Sequence, residues 1–369
     1  MKKILKNMDF TLLLIILILF SFGVVMIASA TNVMEDGLSR QVKVQLIAFV
    51  IGILAMFATM MIDYNTLGEF YRFIYLGGII VLLLVYVPGL GIERFGARSW
   101  INLGVIDLQT SEVAKIAFII AFAKFLDNRE EELETLKDVI MCGLYMSPFM
   151  LFILLQPDLG SALVFIFIAF GMMFASGLSY RLIGTGVLAL GVSLPLIYKL
   201  MKPHQRIRID AYLNPNDPSL PGNYQVMQSK ITIGSGLSSG RGIFQGIYHR
   251  YDYLPVQETD FIFAVIGEET GFVGGAAVIG LYLTMLIKMM NVSKKAKDNF
   301  GSLLAVGVTF MFAFQIIENI GMTMGIMPVT GITLPFLSYG GSSMITSMVA
   351  IGLLMNVYAR RKRGSYGIL

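Results

Sequence analysis

Residues 10–30 read FTLLLIILILFSFGVVMIASA, an apolar run without a single charged side chain. A helix needs about 20 such residues to cross a bilayer, because each residue advances it by about 1.5 Å. Lys2, Lys3 and Lys6 precede the run and small residues at 28–30 end it, which superficially resembles a secretory signal. Its apolar core is longer than the roughly 7 to 15 residues of a signal. We therefore interpret it as an uncleaved first membrane helix.

Further apolar runs follow along the whole chain. Hydrophobic residues make up 56% of the 369 positions and charged residues 14%, which excludes a water-soluble globule. The sequence predicts an all-α integral membrane protein: a polytopic bundle of ten transmembrane helices, in a single domain over 1–369, with a long extracellular loop at 200–259 between helices 7 and 8. The nine remaining runs lie near 44–62, 71–87, 107–126, 139–156, 159–176, 182–199, 260–287, 301–322 and 340–358.

The distribution of Lys and Arg orients this bundle, because cytoplasmic loops are enriched in both. With the N-terminus inside, Lys288 and the RRKR tail at 360–363 lie in the cytoplasm. We predict a multi-pass protein with both termini cytoplasmic. The short outer loops then carry only Arg40, Lys43, Arg94 and Arg98.

Cysteine and histidine are scarce. Cys142 is the only cysteine, and His204 and His249 are the only histidines. This count excludes an internal disulfide framework and a cysteine-based metal cluster, and it argues against a histidine-rich metal site.

Four carboxylates lie in residues 257–269, QETDFIFAVIGEE: Glu258, Asp260, Glu268 and Glu269. Ionised groups are costly at membrane depth, so they mark a wet cavity with chemistry or a partner. The alternative for Glu258 and Asp260 is that they cap the start of the helix.

Acidic residues from three helices are predicted to meet at the outer side. Glu112 lies roughly 7 to 8 Å below the outer boundary at 1.5 Å per residue, and Asp158 and Asp260 lie at outer helix starts. The alternative is three independent acids at helix ends. Lys115 lies one turn deeper, where it needs a counter-charge, and we predict a pair with Glu268 or Glu269.

The segment from 200 to 259 is strongly basic. The functional interpretation is an anion site where the chain leaves the membrane, and the alternative is a solvated surface. Its cations are Lys202, Arg206, Arg208, Lys230, Arg241 and Arg250.

Glycines recur at intervals of four at Gly267, Gly271 and Gly275. Such a face lets another helix approach closely in lipid. The approaching helix belongs either to the same chain or to a partner. Residues 325–341 contain Pro328 and Pro335, so they cannot form a regular helix and must be covered by protein or line a cavity.

Five blocks occur in order along the chain: 96–101 GARSWI, 109–115 QTSEVAK, 156–162 QPDLGSA, 259–263 TDFIF and 328–343 PVTGITLPFLSYGGSS. Together they resemble the signature blocks of the bacterial SEDS family (shape, elongation, division and sporulation). Tyr224 and the stretches 228–231 and 319–322 resemble the elongation branch more than the division branch.

The resemblance implies a peptidoglycan glycosyltransferase that polymerises lipid II into glycan strands at the outer face of the bacterial cytoplasmic membrane, for cell elongation and rod shape. It implies a class B penicillin-binding protein as partner, engaged through its transmembrane helix, and no nucleic acid. Asp260 matches the family's essential aspartate, and Asp158, Glu112 and Lys115 match cavity-lining positions. A division or sporulation paralogue with the same chemistry, or a lipid II flippase, is the alternative.

The chemistry of sugar transfer fits these residues. Asp260 is the candidate base, since a partly desolvated carboxylate gains basicity. A divalent cation, Mg²⁺ or Mn²⁺, held by Asp158 and Glu112 is one candidate for stabilising the departing undecaprenyl diphosphate. With so good a leaving group, we expect a single displacement with inversion. The other candidates for diphosphate binding are Arg98, Lys115, Arg206, Arg208, Lys230 and Arg241.

Overall fold

The computed structural model describes residues 7–31, 38–94, 97–102, 104, 106–129, 133–201, 203–215, 217, 219–220, 222–248 and 253–361. Helices dominate these residues. They are α1 Phe10–Ala30, α2 Arg40–Met61, α3 Tyr64–Glu69, α4 Tyr71–Leu83, α5 Thr110–Asp127, α6 Leu136–Leu155, α7 Leu159–Ala175, α8 Tyr180–Leu200, α9 Pro203–Leu213, α10 Asn223–Ser235, α11 Ile262–Lys294, α12 Asn299–Thr323 and α13 Gly341–Ala359.

Each of the ten apolar runs contains a helix. Among the described helices, six are long and apolar enough to cross a membrane: α1, α2, α6, α11, α12 and α13. Shorter apolar helices correspond to α4, α7 and α8. The multi-pass helical architecture is confirmed, and the count of ten spans stays a prediction.

The centre of the bundle is α5. A helix that is apolar on all sides is buried on all sides, and Phe118 and Phe122 are both fully buried. The Phe118 ring centroid lies 5.5 Å from that of Phe149 on α6 and 5.2 Å from that of Phe165 on α7. These aromatic contacts pack the middle of α5 against two neighbouring helices.

A small sheet was not expected. β1 Gly91–Arg94, β2 Ala97–Asn102 and β3 Asp107–Gln109 form an antiparallel sheet in the order β1-β2-β3. Ile92 pairs with Trp100, and Ile101 pairs with Leu108. The all-α prediction is wrong here, and so is the inclusion of 107–109 in the fourth helix. Hydropathy averages over a window and does not detect the pairing of strands this short.

The predicted loop at 200–259 contains two helices, α9 and α10. Its charged residues are partly ordered by local hydrogen bonds. For example, the Ser219 hydroxyl and amide donate to Asp217 and lower the pKa of that carboxyl. Its placement on the extracellular side stays a prediction.

The regular geometry of α11 is interrupted at Gly271, where φ is 65° and ψ is −163°. The segment 236–242 inserts at this break. The amide nitrogens of Arg241 and Gly242 lie 3.0 Å from the carbonyl oxygens of Glu268 and Glu269. A break in a helix leaves backbone groups without partners, and the inserted segment satisfies them.

The glycine face predicted on α11 is covered within the chain. A Cβ at Gly267 would lie 3.2 Å from the Ile233 side chain, and one at Gly271 would lie 2.3 Å from the Gly240 nitrogen. Of the two alternatives for this face, packing within the chain describes Gly267 and Gly271, because α10 and the inserted segment occupy that face.

Candidate functional site

A buried ion pair lies in the first turns of α5. The Lys115 Nζ is 2.7 Å from the Glu112 Oε1, and the Thr346 hydroxyl of α13 donates to the Glu112 Oε2 at 3.0 Å. Lys115 is 1% exposed and Glu112 is 7% exposed. The predicted pairing of Lys115 with Glu268 or Glu269 is wrong. The spacing of three residues puts Glu112 on the same side of the helix as Lys115, so the counter-charge is local.

Glu268 and Glu269 are held by backbone amides instead. The amides of Ile247 and Tyr248 donate to the Glu268 Oε1 at 2.7 and 2.9 Å. The Phe244 amide donates to the Glu269 Oε1 at 3.0 Å, and the Ser29 hydroxyl of α1 donates to the same oxygen.

Asp158 is the N-cap of α7 and also contacts α5. Its carboxylate accepts from the Ser161 amide at 2.9 Å and from the Ser161 hydroxyl at 2.7 Å. Gln109 Nε2 and the Ser111 hydroxyl donate to it at 3.2 and 3.3 Å. The helix-cap alternative therefore describes part of its role. The contacts with Gln109 and Ser111 bring Asp158 beside the Glu112–Lys115 turn.

Asp260 lies in the turn before α11, one residue ahead of the N-cap Phe261. Asn319 Nδ2 donates to the Asp260 carbonyl at 2.9 Å and to the Ile332 carbonyl at 2.8 Å. The Asp260 Oδ2 is 3.5 Å from the position that a Cβ on Gly331 would occupy. The backbone of the irregular segment at Gly331 thus lies close to this carboxylate.

The irregular segment 325–340 lies beside two of the acidic positions. A Cβ at Gly160, two residues after Asp158, would lie 2.9 Å from the Thr330 carbonyl. The next residue, Gly331, lies beside Asp260. At the far end of the segment, the Ser342 hydroxyl of α13 accepts from the Gln109 amide at 3.1 Å. The irregular segment thus lies beside the start of α7 and beside Asp260, while α13, which follows it, contacts the first turns of α5.

Two of the predicted cations in the 200–259 segment, Arg241 and Lys230, lie close to other parts of the structure. Arg241 Nε donates to the Ser235 hydroxyl at 3.2 Å and lies 3.8 Å from the Glu268 Oε1. The Lys230 Nζ lies 2.6 Å from the position of a Cβ on Gly325. Lys230 is therefore near the irregular segment, whereas Arg241 neutralises a buried carboxylate.

The remaining cations lie elsewhere or outside the described residues. Arg206 donates to the Lys199 carbonyl, and its guanidinium lies 5.7 Å from the Tyr198 ring centroid. The Arg98 Nε is 2.9 Å from the position of a Cβ on Gly91, beside the sheet. Outside the described side chains lie Lys202, Arg208 and Arg250.

The carboxylates do not form a ready cluster of metal ligands. Among the described residues, no group of three or more His, Cys, Asp and Glu side chains is placed to hold a metal ion. Glu112 already contacts Lys115 and Thr346, so a cation shared by Asp158 and Glu112 requires those contacts to break. Asp158 likewise accepts from Ser161, Gln109 and Ser111, so the cation stays a prediction.

The polar partners of the acids were missed. Ser161 carried a signal, because it follows Asp158 by three residues in the same block, whereas Gln109 and Ser111 lie in the block of Glu112 but donate to Asp158. Asn319 and Thr346 had no such signal, since their contacts depend on how α12 and α13 pack.

Fold and site together define a polytopic membrane protein with a polar, carboxylate-bearing region at the end of its helical bundle that holds the sheet. A family model described as "Cell cycle protein", covering FtsW, RodA and SpoVE, matches residues 10–363. The chain belongs to this family, the SEDS proteins.

Individual relatives span nearly the whole chain. Stage V sporulation protein E of Bacillus subtilis is 37% identical over 356 residues, which cover 95% of this chain and 96% of the relative. The peptidoglycan glycosyltransferase RodA of Treponema pallidum is 34% identical, covering 96% of this chain and 98% of the relative. The peptidoglycan glycosyltransferase MrdB of Escherichia coli is 35% identical, with coverage of 96% and 95%.

Solved structures agree with this assignment. A chain from a peptidoglycan synthase complex that coordinates polymerization and crosslinking has a TM-score of 0.83 at 31% identity, covering 95% of this chain and 97% of that chain. The rod shape determining protein RodA of Thermus thermophilus has a TM-score of 0.72 at 28% identity, with coverage of 96% and 98%.

Proposed function

We propose that the protein is a peptidoglycan glycosyltransferase that polymerises lipid II at the outer face of the bacterial cytoplasmic membrane during cell elongation. The observation that carries the proposal is the setting of Asp260. Its backbone is fixed by Asn319, and its carboxylate lies beside Gly331, in the irregular segment that also contacts the start of α7. Relatives named as glycosyltransferases match this chain almost end to end.

In the proposed reaction, Asp260 takes the proton of the acceptor sugar hydroxyl. The hydroxyl oxygen attacks the anomeric carbon of the donor and forms the new glycosidic bond. The bond between that carbon and the diphosphate breaks, and undecaprenyl diphosphate leaves with the electron pair. One displacement inverts the anomeric configuration, so no second carboxylate nucleophile is needed.

Positive charge stabilises the leaving diphosphate in this scheme. Lys230 is exposed beside the irregular segment and is the best placed of the loop cations. Lys115 forms an ion pair with Glu112, so in this scheme it does not bind the diphosphate directly. A divalent cation, when bound at Asp158, supplies further charge stabilisation.

We propose a role in elongation, not in division or sporulation, because residues 224, 228–231 and 319–322 resemble the elongation branch of the family. The flippase alternative is less well supported. Transporters place broken helices around a midplane site, whereas the break in α11 is filled by the chain's own segment 236–242.

We also propose a class B penicillin-binding protein as partner, engaged through its transmembrane helix. Support comes from the similarity to a chain of a synthase complex that couples polymerization to crosslinking. Because Gly267 and Gly271 are covered, the partner's helix must pack on another surface of the bundle.

The direct test is polymerisation of lipid II by purified protein. Asp260→Asn removes the base and keeps the side chain's size, so we expect turnover to fall by roughly 100-fold or more. Glu69→Gln is the matched control, because Glu69 is an exposed acid at the end of α3. Wild-type turnover by folded Asp260→Asn protein contradicts the assignment.

A further inference from the structure

The break in α11 divides it into two parts with different surroundings. Residues 262–269 are all buried, whereas Phe272 and Val273, just past the break, are 76% and 65% exposed. The buried part follows directly on Asp260. Its position is therefore set at one end by the contacts of Asp260 and at the other end by whatever holds the break.

The inserted segment holds the break from both sides. Besides the amides of Arg241 and Gly242, which donate to α11 before the break, its carbonyls accept from α11 after it. Phe272 N lies 2.9 Å from the Leu237 oxygen, and Val273 N lies 3.1 Å from the Ser238 oxygen. Four backbone hydrogen bonds thus bridge the two parts of α11 through residues 237–242.

Glycines make this insertion possible. A Cβ at Gly240 would lie 2.1 Å from the Glu269 oxygen, and one at Gly236 would lie 1.9 Å from the Gly267 oxygen. Gly240 also has φ of 79°, which other residues rarely adopt. Any side chain at these positions would push the segment out of the break.

The carboxylates of Glu268 and Glu269 extend the attachment to residues 244–248, through the three amide contacts already described. Glu268 is 0% exposed and Glu269 is 1% exposed. Buried carboxylates persist when hydrogen bonds compensate their desolvation. Here the compensating amides belong to one short segment that is separate from α11 in sequence.

We propose that Glu268 and Glu269 are positioning residues, which lock segment 237–248 into the break of α11 and thereby hold the buried part of α11, with Asp260 at its start, in the geometry needed for catalysis. The inference rests on the proposed glycosyltransferase function. The two carboxylates touch no substrate in this scheme and act through the backbone. Misplacing a catalytic group by about 1 Å can cost roughly 100-fold in rate.

The first test changes the segment without changing any charge. Gly240→Ala should expel residues 237–242 from the break, while Gly234→Ala, on the open side of α10, is the matched control because a Cβ there contacts nothing within 4 Å. Hydrogen exchange by mass spectrometry reports the segment directly. We expect faster exchange at 241–248 and a fall in kcat of roughly 10- to 100-fold with KM little changed.

The second test uses the carboxylate itself and remains available if Gly240→Ala fails to fold. Glu268→Ala removes the acceptor for the Ile247 and Tyr248 amides, whereas Glu268→Gln keeps one oxygen for them. We expect slow exchange and most of kcat to be retained by the glutamine variant and lost by the alanine variant. A general loss of folding would not give this difference between two folded variants.

The outcomes separate the two claims. Fast exchange at 241–248 with wild-type kcat overturns the positioning role and leaves the glycosyltransferase function intact. Slow exchange at 241–248 in a Glu268→Ala variant that has lost kcat also overturns the positioning role, because the segment is then still in place. Absence of polymerisation by the wild type contradicts the proposed function, while the exchange experiment still decides whether Glu268 locks the segment.

Discussion

Two sets of buried charges in this bundle are stabilised in different ways. Glu112 is neutralised by Lys115, one turn away on the same helix, at 2.7 Å. Glu268 and Glu269 receive backbone amides from residues 244–248. The ion pair is thus complete within α5, whereas the second set depends on a segment that the chain must fold back and insert.

The difference separates rigid from adjustable parts of the site. The Glu112–Lys115 pair can keep its geometry whatever the 200–259 segment does, because both partners lie on a helix packed among α6 and α7. The amide contacts of Glu268 and Glu269 change whenever that segment moves, whereas the Ser29 hydroxyl holds Glu269 from α1. Ligands or partners that pull on the segment therefore have a physical route to Asp260 that bypasses α5.

The largest effect is expected where a charge loses a local partner. Lys115→Met leaves Glu112 ionised and buried without its ammonium, and breaking a buried pair in this way costs about 3 to 5 kcal/mol. We expect a large fall in the melting temperature of the purified protein in detergent. Glycan polymerisation should fall as well.

A second change identifies the partner. Glu112→Gln in the Lys115→Met background removes the stranded charge and keeps an acceptor for Thr346, so it should restore part of the lost stability. If the double variant is as unstable as the sum of the single ones, the ion pair is not the reason for the loss.

A smaller effect is expected at Asp158, which combines features of both regions: it caps its own helix and accepts from a second one. Asp158→Asn keeps an oxygen for the Ser161 amide, so the stability cost should be about 1 kcal/mol or less. Activity should fall less than in Asp260→Asn. Ser161→Ala is the comparison, since it removes one donor and no charge. Equal, complete loss of activity in Asp158→Asn and Asp260→Asn would show that both carboxylates contact the reacting groups.

The apolar runs predicted the helices because hydropathy is a local property of the chain. They did not predict the sheet, whose strands pair across the sequence. The glycine spacing at 267, 271 and 275 left its partner undecided for a different reason. Glycine at intervals of four is needed both where a helix packs closely and where backbone must enter a helix break, and the sequence is the same in both cases.

Among the site residues, the acids were recognisable and their partners were not. Helix rise and topology predicted that Glu112, Asp158 and Asp260 share one level. The structure places Asp158 beside the first turn of α5, which carries Glu112, and places Asp260 beside Gly331. The partner of Lys115 was assigned by depth across helices, although the spacing from Glu112 already offered a nearer carboxylate. Contacts such as Asn319 with Asp260 depend on tertiary packing and leave no mark in a single sequence.

The smallest expected effect distinguishes the two regions most sharply. Because the Lys115 ammonium pairs with Glu112 and the Glu268 carboxylate accepts from the Ile247 and Tyr248 amides, the changes Lys115→Met and Glu268→Gln should act independently. Their effects on the free energy of unfolding should add to within about 0.5 kcal/mol in a double-mutant cycle. The Lys115→Met and Glu112→Gln cycle, measured in the same detergent, is the positive control and should show clear coupling. Coupling of about 1 kcal/mol or more between Lys115 and Glu268 would mean that the ammonium also interacts with the charges on α11, and the separation of the site into a rigid and an adjustable part would then fail.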